Sequence, residues 1–321
     1  MLKRYCQILL IVGCSMFIEV QTVNAQKGEL SFPAELTTFQ PYAKNPIFTG
    51  RSSTTQATEE NAWDQKIRER GWILKENGLY RMWYTGYRDE PEALRKLGYA
   101  TSIDGVHWQR HPENPILPNL WIEDMMVMKQ GDLYYMFAEG KADIAHYLTS
   151  KDGVDWQPQG PLDIRQTSGE PISKGPRGTP TVWYAEGTWY LFYERMDQGV
   201  WLATSKGLKV FTNYQDDPVL KCGPEPYDKY AVALNQILFY QGKYYAYYHG
   251  SGYADWREWN TNIAVSEDLI HWTKYAHNPI LEENQSSGIV VEEDDSFRLY
   301  SMHDKVQLHF SVPKEAKDLK E

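Results

Sequence analysis

"ATSIDGVHW", residues 100–108, returns three more times along the chain, as "LTSKDGVDW" (148–156), "ATSKGLKVF" (203–211) and "AVSEDLIHW" (264–272). The Asp-Gly dipeptides of the first two copies are typical of tight turns between antiparallel strands. A short phrase that repeats in this way is the mark of a chain built from copies of one structural unit. The phrase therefore predicts that a single hairpin recurs four times.

A second pattern, a glycine turn followed by an aromatic strand, recurs five times. Its copies read "ENGLYRMWYTG" (76–86), "KQGDLYYMFAEG" (129–140), "AEGTWYLFYER" (185–195), "YQGKYYAYYHG" (240–250) and, more weakly, "EEDDSFRLYSMHD" (292–304). A shorter apolar strand lies upstream of each copy, as in "GWILK" (71–75) and "NQILFY" (235–240). Each unit therefore contains three or four short antiparallel strands, and no segment has a convincing helical period.

Four-stranded units that repeat around an axis are the blades of a β-propeller. The sequence thus predicts an all-β fold, a five-bladed β-propeller that occupies residues 26–321. The fifth unit is short, so "NPIFTG" (45–50) is predicted to supply its outer strand and close the ring. Trp108, Trp156 and Trp272 share one position of the repeated phrase and are predicted to be scaffold residues. A two-sheet sandwich is the alternative, but it does not require such regular copies.

The first 25 residues have the pattern of a secretory signal. Lys3 and Arg4 precede an apolar run that ends near Val20, and small residues lead to a cleavage site after Ala25. The run is too short for a membrane span, so no transmembrane segment is predicted. The protein is expected to be secreted or periplasmic. The alternative is a lipoprotein anchored at Cys14, because "IVGC" (11–14) fits a lipoprotein box.

The composition limits the partners. The formal net charge of −10 argues against a nucleic acid or an anionic membrane as partner. Only Cys222 remains after removal of the signal, so no intrachain disulfide is predicted and the core must stabilise the fold. The 12 Trp and 23 Tyr residues include rings for core packing and for flat platforms that suit sugars.

The phrase "NPIL", at 114–117 and 278–281, beside these hairpins in five units resembles the five-bladed β-propeller glycoside hydrolases, which include families 43, 32, 62, 117 and 130. The resemblance covers residues 41–309 and is carried by scaffold motifs. It implies a central funnel, where the starts of first strands and the ends of second strands meet at one rim. In family 43 that rim carries a base, a helper carboxylate and an acid.

Only some of the positions that carry a catalytic carboxylate in family 43 carry one in this sequence. Asp124 in "WIEDMMVMKQG" (121–131), a segment that Trp121 opens, resembles the Trp-Ala-Pro-Asp segment whose Asp tunes the acid. Unit one has Arg70 where an Asp is expected, and unit three reads "GTP" (178–180) instead of Glu-x-Pro. The chain therefore does not resemble an ordinary family 43 enzyme, and a different assignment of acid and base stays open.

Other polar residues are expected on the same rim. Four second strands end in an ionisable residue at one equivalent position: Glu139, Glu194, His249 and His303. Asp64 and Asp228 each lie fourteen residues before a turn glycine, which suggests two carboxylates that enter from equivalent loops. Positive charge would come from three arginines: Arg68, Arg70 and Arg177. Since guanidinium groups suit carboxylates and sulfates, an anionic sugar is a candidate, unless each arginine pairs with a rim carboxylate such as Glu69.

The resemblance implies a secreted glycoside hydrolase that cleaves plant or algal poly- or oligosaccharide by inverting acid–base chemistry. Asp64 or Asp124 is expected on the base side, and Glu194, Glu139 or His249 as the acid. The remaining rim residues are expected to bind substrate: Arg68, Arg70, Trp121, Glu139, Arg177, Asp228 and His303. No cofactor or metal is required, with a calcium-like ion near His303 as an option. The alternatives are a non-catalytic carbohydrate-binding propeller and a phosphorylase like those of family 130.

Overall fold

The computed structural model describes residues 31–51 and 62–314 of the chain. The predicted signal peptide, its cleavage site after Ala25 and the alternative anchor at Cys14 lie outside the described residues. Within the described ranges, no helix is both long and apolar enough to cross a membrane.

Five sheets follow one another along the chain and form the five blades of the predicted β-propeller. Neighbouring strands pair antiparallel, except for one short parallel pair in blade 3. A single turn of helix, α1 (Ala34–Thr37), and the short strand β1 (Phe39–Pro41) come first. Blade 1 contains β2 (Lys66–Glu76), β3 (Leu79–Tyr87), β4 (Lys96–Ser102) and β5 (Gln109–Arg110). Blade 2 contains β6 (Glu123–Gln130), β7 (Leu133–Gly140), β8 (Ile144–Ser150) and β9 (Gln157–Pro161).

The remaining blades repeat this order. Blade 3 contains β10 (Ile164–Arg165), β11 (Gly178–Ala185), β12 (Thr188–Glu194), β13 (Gly199–Ser205), β14 (Phe211–Asn213) and β15 (Leu220–Lys221). Blade 4 contains β16 (Ala231–Tyr240), β17 (Lys243–Ser251), β18 (Asn260–Ser266) and β19 (Thr273–Lys274). Blade 5 contains β20 (Ile289–Glu292), β21 (Phe297–Met302) and β22 (Val306–Ser311). The first strands β2, β6, β11, β16 and β20 contact one another in a ring around the axis.

The N-terminal segment closes the ring, but its strand begins earlier than the sequence predicted. β1 pairs with β22, with Phe39 opposite Ser311, and so becomes the outer strand of blade 5. The predicted segment 45–50 adds only one isolated bridge, between Phe48 and Val306. Pro46 has no N–H to donate to a ladder. The side chain of Asn45 instead exchanges two hydrogen bonds of 2.8 Å with the backbone of Leu308.

The repeated phrase forms the outer hairpin of a blade, as predicted, and its tryptophans pack into the core. Trp156 is 4% exposed, and its ring lies edge-on to Trp83, with 6.3 Å between the ring centroids. Trp108 and Trp272 are partly buried against the apolar core. These rings therefore hold blades together, away from the axis.

A β-bulge interrupts the first strand of blades 1 to 4, close to the axis. In blade 2 the pairing passes from Glu123 opposite Glu139 to Met126 opposite Phe137, so one extra residue is inserted. Blades 3 and 4 also carry one extra residue, whereas blade 1 carries two between Arg68 and Trp72. Bulges bend a strand and aim individual side chains in new directions. Here they leave backbone groups near the axis without partners in the ladder.

Arg70, which comes from the bulge of blade 1, is fully buried and ties these bulges together. Its guanidinium donates to the Thr181 hydroxyl at 2.5 Å and to four backbone carbonyls, those of Asp124, Pro180, Leu234 and Asn235. Burial lowers the pKa of Arg70 to about 10, so the side chain stays charged at neutral pH. One cation thus links four blades.

Replacing Arg70 should destabilise the whole propeller. Arg70→Met keeps much of the volume but leaves four buried carbonyls without their donor, so we expect the free energy of unfolding to fall by about 3 kcal/mol or more. Chemical denaturation measures the change. The matched control is Arg165→Met, which removes an exposed arginine that pairs with Asp163 and should cost less than about 1 kcal/mol. Equal stability of the two variants would contradict the role of Arg70.

Candidate active site

The axis of the propeller opens into a cavity of about 380 Å³, which the bulges surround. Three of the bulged residues have left-handed backbone conformations, with φ of 48° at Glu69, 41° at Asp124 and 43° at Thr179. Such conformations are costly for residues other than glycine and are concentrated at functional sites. All three residues line the cavity.

Six carboxylates face this cavity: Glu69, Asp124, Glu139, Asp143, Glu194 and Asp197. They come from the bulges of blades 1 and 2, from the ends of the second strands of blades 2 and 3, and from the turns that follow those strands. Among the described residues that line the cavity, Arg68 is the one side chain with a fixed positive charge. The cavity is therefore strongly acidic.

Burial and crowding raise the pKa values of four of these carboxyl groups. Burial, followed by the charge of Glu69, raises the pKa of Asp124 well above its ordinary value. Burial and the charge of Asp124 do the same to the pKa of Glu139. Burial also raises the pKa of Glu194 to about 7 and that of Asp197 to about 8. The site therefore contains carboxyl groups with strongly raised pKa values together with others whose pKa values lie near neutrality.

The "GTP" segment lacks the carboxylate expected for family 43. Its backbone instead binds the carboxylates of two other residues. The N–H of Gly178 donates to Glu194 at 3.0 Å, and the N–H of Thr179 donates to Glu139 at 2.9 Å. A Cβ at position 178 would collide with carboxylate oxygens of both glutamates. The absence of a side chain at position 178 therefore lets both Glu139 and Glu194 approach this strand of blade 3.

The two histidines on the cavity wall are neutral. Burial lowers the pKa of His249 to about 3, and its Nδ1 lies 2.8 Å from the side-chain nitrogen of Asn235. Burial also lowers the pKa of His303. The structure thus argues against His249 as an acid at neutral pH. No three His, Cys, Asp or Glu side chains in the described ranges are grouped to hold a metal ion, so the calcium-like ion near His303 stays a prediction.

Asp64 and Asp228 occupy equivalent positions, as the sequence suggested, but neither lines the cavity. Asp64 is fully buried and accepts from Arg110 at 3.0 Å and from the Tyr84 hydroxyl at 3.0 Å. Asp228 is also fully buried and pairs with Lys274 and Tyr248. Each carboxylate is neutralised within its own blade. Neither residue therefore has a place on the cavity wall, and a catalytic role for Asp64 and a binding role for Asp228 stay predictions.

The predicted positive rim is only partly present, because one of the three predicted arginines, Arg68, lines the cavity. Arg70 lies buried beneath the cavity, and Arg177 does not line it. Arg68 does line the cavity, but it pairs with Glu69 and, at 3.3 Å, with Glu123. Trp121 also lies off the cavity, where its indole N–H donates to Glu123 at 2.6 Å. The arginines therefore no longer support an anionic sugar as the substrate.

The structure brings together Arg68, Asp124, Glu139, Glu194, His249 and His303 from the predicted set. It adds cavity residues that sequence reasoning did not select: Asp143, Asp197, Trp256 and Trp259. Asp143 and Asp197 lie three or four residues after the predicted Glu139 and Glu194, in the turns that follow those strands. The two tryptophans belong to "SGYADWREWN" (251–260), an aromatic-rich loop whose composition could have indicated a sugar platform.

Comparison with known proteins finds glycan-active enzymes among the proteins that are similar to this chain. No family model matches the chain. A 1,2-beta-oligomannan phosphorylase from Thermoanaerobacter sp. (strain X514) is 25% identical over 193 residues, which cover 54% of this chain and 61% of that protein. The chain thus spans less than two thirds of that relative's length.

Solved structures share the fold over most of both chains. A glycosyl hydrolase from Bacteroides ovatus superposes with a TM-score of 0.67 at 15% identity, over 89% of this chain and 96% of the other. A second structure comes from family 130, described as mannoside phosphorylases that include hydrolases targeting beta-1,2 mannosidic linkages in Candida mannan. Its TM-score is 0.66 at 16% identity, over 90% of this chain and 98% of the other. The chain has the five-bladed β-propeller fold of these glycoside hydrolases and phosphorylases.

Proposed function

We propose that this protein is a glycoside hydrolase that cleaves a bond between neutral sugars, with β-mannosides as the first substrate class to test. The observation that carries the proposal is the set of six carboxylates around one cavity, four of which have pKa values that burial raises. Glycoside cleavage needs a proton donor and a base within one site. Strongly perturbed carboxyl groups in a cleft also favour catalysis over the alternative of a binding propeller.

Asp124 is the proposed proton donor. It is 3% exposed, sits on a strained bulge, and accepts the backbone N–H of Arg70 at 3.3 Å. Burial and the charge of Glu69 raise its pKa well above the ordinary value, which favours the protonated form that a donor needs. That proton would pass to the leaving glycosidic oxygen as the bond breaks. This role reverses the earlier expectation, which had Asp124 on the base side.

Glu194 is the proposed base, with Asp197 beside it. The pKa of Glu194 rises to about 7, so a large fraction is ionised at neutral pH. The N–H of Asp197 donates to Glu194 at 2.6 Å and fixes the carboxylate. An ionised Glu194 would take a proton from the attacking water. Inversion at the anomeric carbon stays a prediction, which NMR of the first product would test.

Water is favoured over phosphate as the attacking group because of charge. A phosphate dianion in this cavity would lie among six carboxylates, and the single cationic side chain that lines the described cavity, Arg68, is already paired with Glu69 and Glu123. Those carboxyl groups that are ionised at neutral pH would repel a dianion at short range and so oppose its binding. Phosphorolysis is the second candidate, supported by the oligomannan phosphorylase relative.

Two further parts of the proposal rest on sequence patterns. The proposed export rests on the signal pattern of residues 1–25. Cleavage after Ala25 or lipid anchoring at Cys14 would follow it. The plant or algal origin of the glycan stays a prediction, whereas the names of two similar proteins point to mannosides. Mannosides are therefore the first class to test.

The test uses β-1,2-mannobiose with and without inorganic phosphate. We expect mannose to be released at the same rate in both, and Asp124→Asn to lower that rate by about a hundredfold or more, because the proton donor is lost. Asp155→Asn is the control, since Asp155 lies exposed in an outer hairpin. Formation of mannose 1-phosphate only when phosphate is present would contradict hydrolysis. Full activity of Asp124→Asn would contradict the assigned donor.

The pH dependence tests the base. Only ionised Glu194 can accept a proton, so kcat/KM should rise with pH through about 7 and should fall only where Asp124 ionises. Glu194→Gln should remove this rise together with most of the activity. Rates measured from about pH 5 to 9 provide the profile. A rate that is already maximal at about pH 5 would show that the base has an ordinary carboxyl pKa and is not Glu194.

A further inference from the structure

A second cavity, of about 720 Å³, adjoins the central one along two shared walls. The first wall is the loop between β17 and β18. Trp256 and Trp259 line the central cavity, whereas Tyr253, Glu258 and Asn260 line the second. The other wall is the segment 282–287, which gives Ser286 and Ser287 to the central cavity and its first three residues to the second.

The lining of this second cavity has the chemistry of a site for neutral sugars. It presents the rings of Tyr227 and Tyr253, the carboxylates of Glu258, Glu282 and Glu283, and the amides of Asn260 and Asn284. Lysine, arginine and histidine are absent from the described residues that line it. Aromatic rings offer flat apolar faces with a polar edge, and carboxylates and amides accept hydrogen bonds from hydroxyl groups. The same charges disfavour phosphates and other anions.

The wall between the cavities is held in place before any ligand binds. Asn284 accepts the N–H of Trp259 at 3.0 Å, which joins the two shared walls. The Ser251 hydroxyl donates to the carbonyl of Arg257 at 2.7 Å. The guanidinium of Arg257 lies 4.2 Å from the centroid of the Tyr253 ring and orients it. Two rings on this wall remain exposed to solvent, Tyr253 at 38% and Trp256 at 40%.

We propose that the second cavity is an extended subsite that binds the part of an oligosaccharide lying beyond the bond cleaved in the central cavity. The glycan would cross the wall over the exposed ring of Trp256 and rest on Tyr253. The preferred substrate would then contain at least three sugar residues. This inference rests on the proposed function, because it assigns the reacting bond to the central cavity.

Chain length is the first test. With β-1,2-mannobiose and β-1,2-mannotetraose as substrates, we expect the wild-type kcat/KM to be about tenfold or more higher for the tetrasaccharide, which corresponds to about 1.4 kcal/mol of added binding. Tyr253→Ala should reduce this ratio toward one. The matched control is Tyr214→Ala, which removes another exposed tyrosine, 53% exposed, that lines neither cavity and should keep the ratio. A wild-type ratio near one, or a ratio unchanged in Tyr253→Ala, would overturn the subsite.

Binding separates failure of the subsite from failure of the proposed hydrolysis. Both glycans are titrated calorimetrically into Asp124→Asn and into Asp124→Asn combined with Tyr253→Ala. Tighter binding of the tetrasaccharide that depends on Tyr253 supports the subsite, even if the wild-type protein hydrolyses neither glycan. Equal affinity for the two glycans, or no measurable affinity for either, would overturn the subsite whatever the catalytic result.

Discussion

Four carbonyl groups near the propeller axis point at one guanidinium, that of Arg70, and the geometry of the site depends on this contact. A β-bulge breaks the ladder of its strand, so its backbone groups need other partners. Arg70 supplies donors to the bulges of blades 2, 3 and 4 from its own position in blade 1. Because the cation is committed to these carbonyls, it carries positive charge beneath the cavity without offering it to a ligand.

The chemistry of the cavity follows from those bulges. They bring Glu69 and Asp124 to the cavity, while Gly178 leaves room for Glu139 and Glu194 beside blade 3. Crowded, buried carboxylates cannot all ionise, so their protons are shared unequally. The raised pKa values of Asp124 and Glu194 therefore result from the packing of the blades. The neutral histidines add hydrogen-bonding groups without adding charge.

The repeated phrases predicted the fold because each blade is a local unit with its own strand and turn pattern. The same local reasoning reached Asp124, Glu139 and Glu194, which lie at strand ends. It did not select Glu69 for the site, since the bulge of blade 1 has one residue more than that of blade 2, which shifts the count back from the turn glycine. It also expected Asp64 and Asp228 on the rim, but neither lines the cavity. Their equivalence was recognised, but Arg110 and Lys274, which neutralise them, come from strands whose approach no local pattern shows.

The central claim is that the cavity keeps a protonated carboxyl group at neutral pH beside one that ionises. The most direct measurement is a ¹³C NMR titration of the protein labelled at its Asp and Glu carboxyl carbons, with the Asp124 signal assigned by comparison with Asp124→Asn. The account predicts that the Asp124 carboxyl group is still protonated at pH 7 and that the Glu194 signal has a midpoint near 7. Full ionisation of both groups below about pH 5, as for ordinary carboxyl groups, would contradict it.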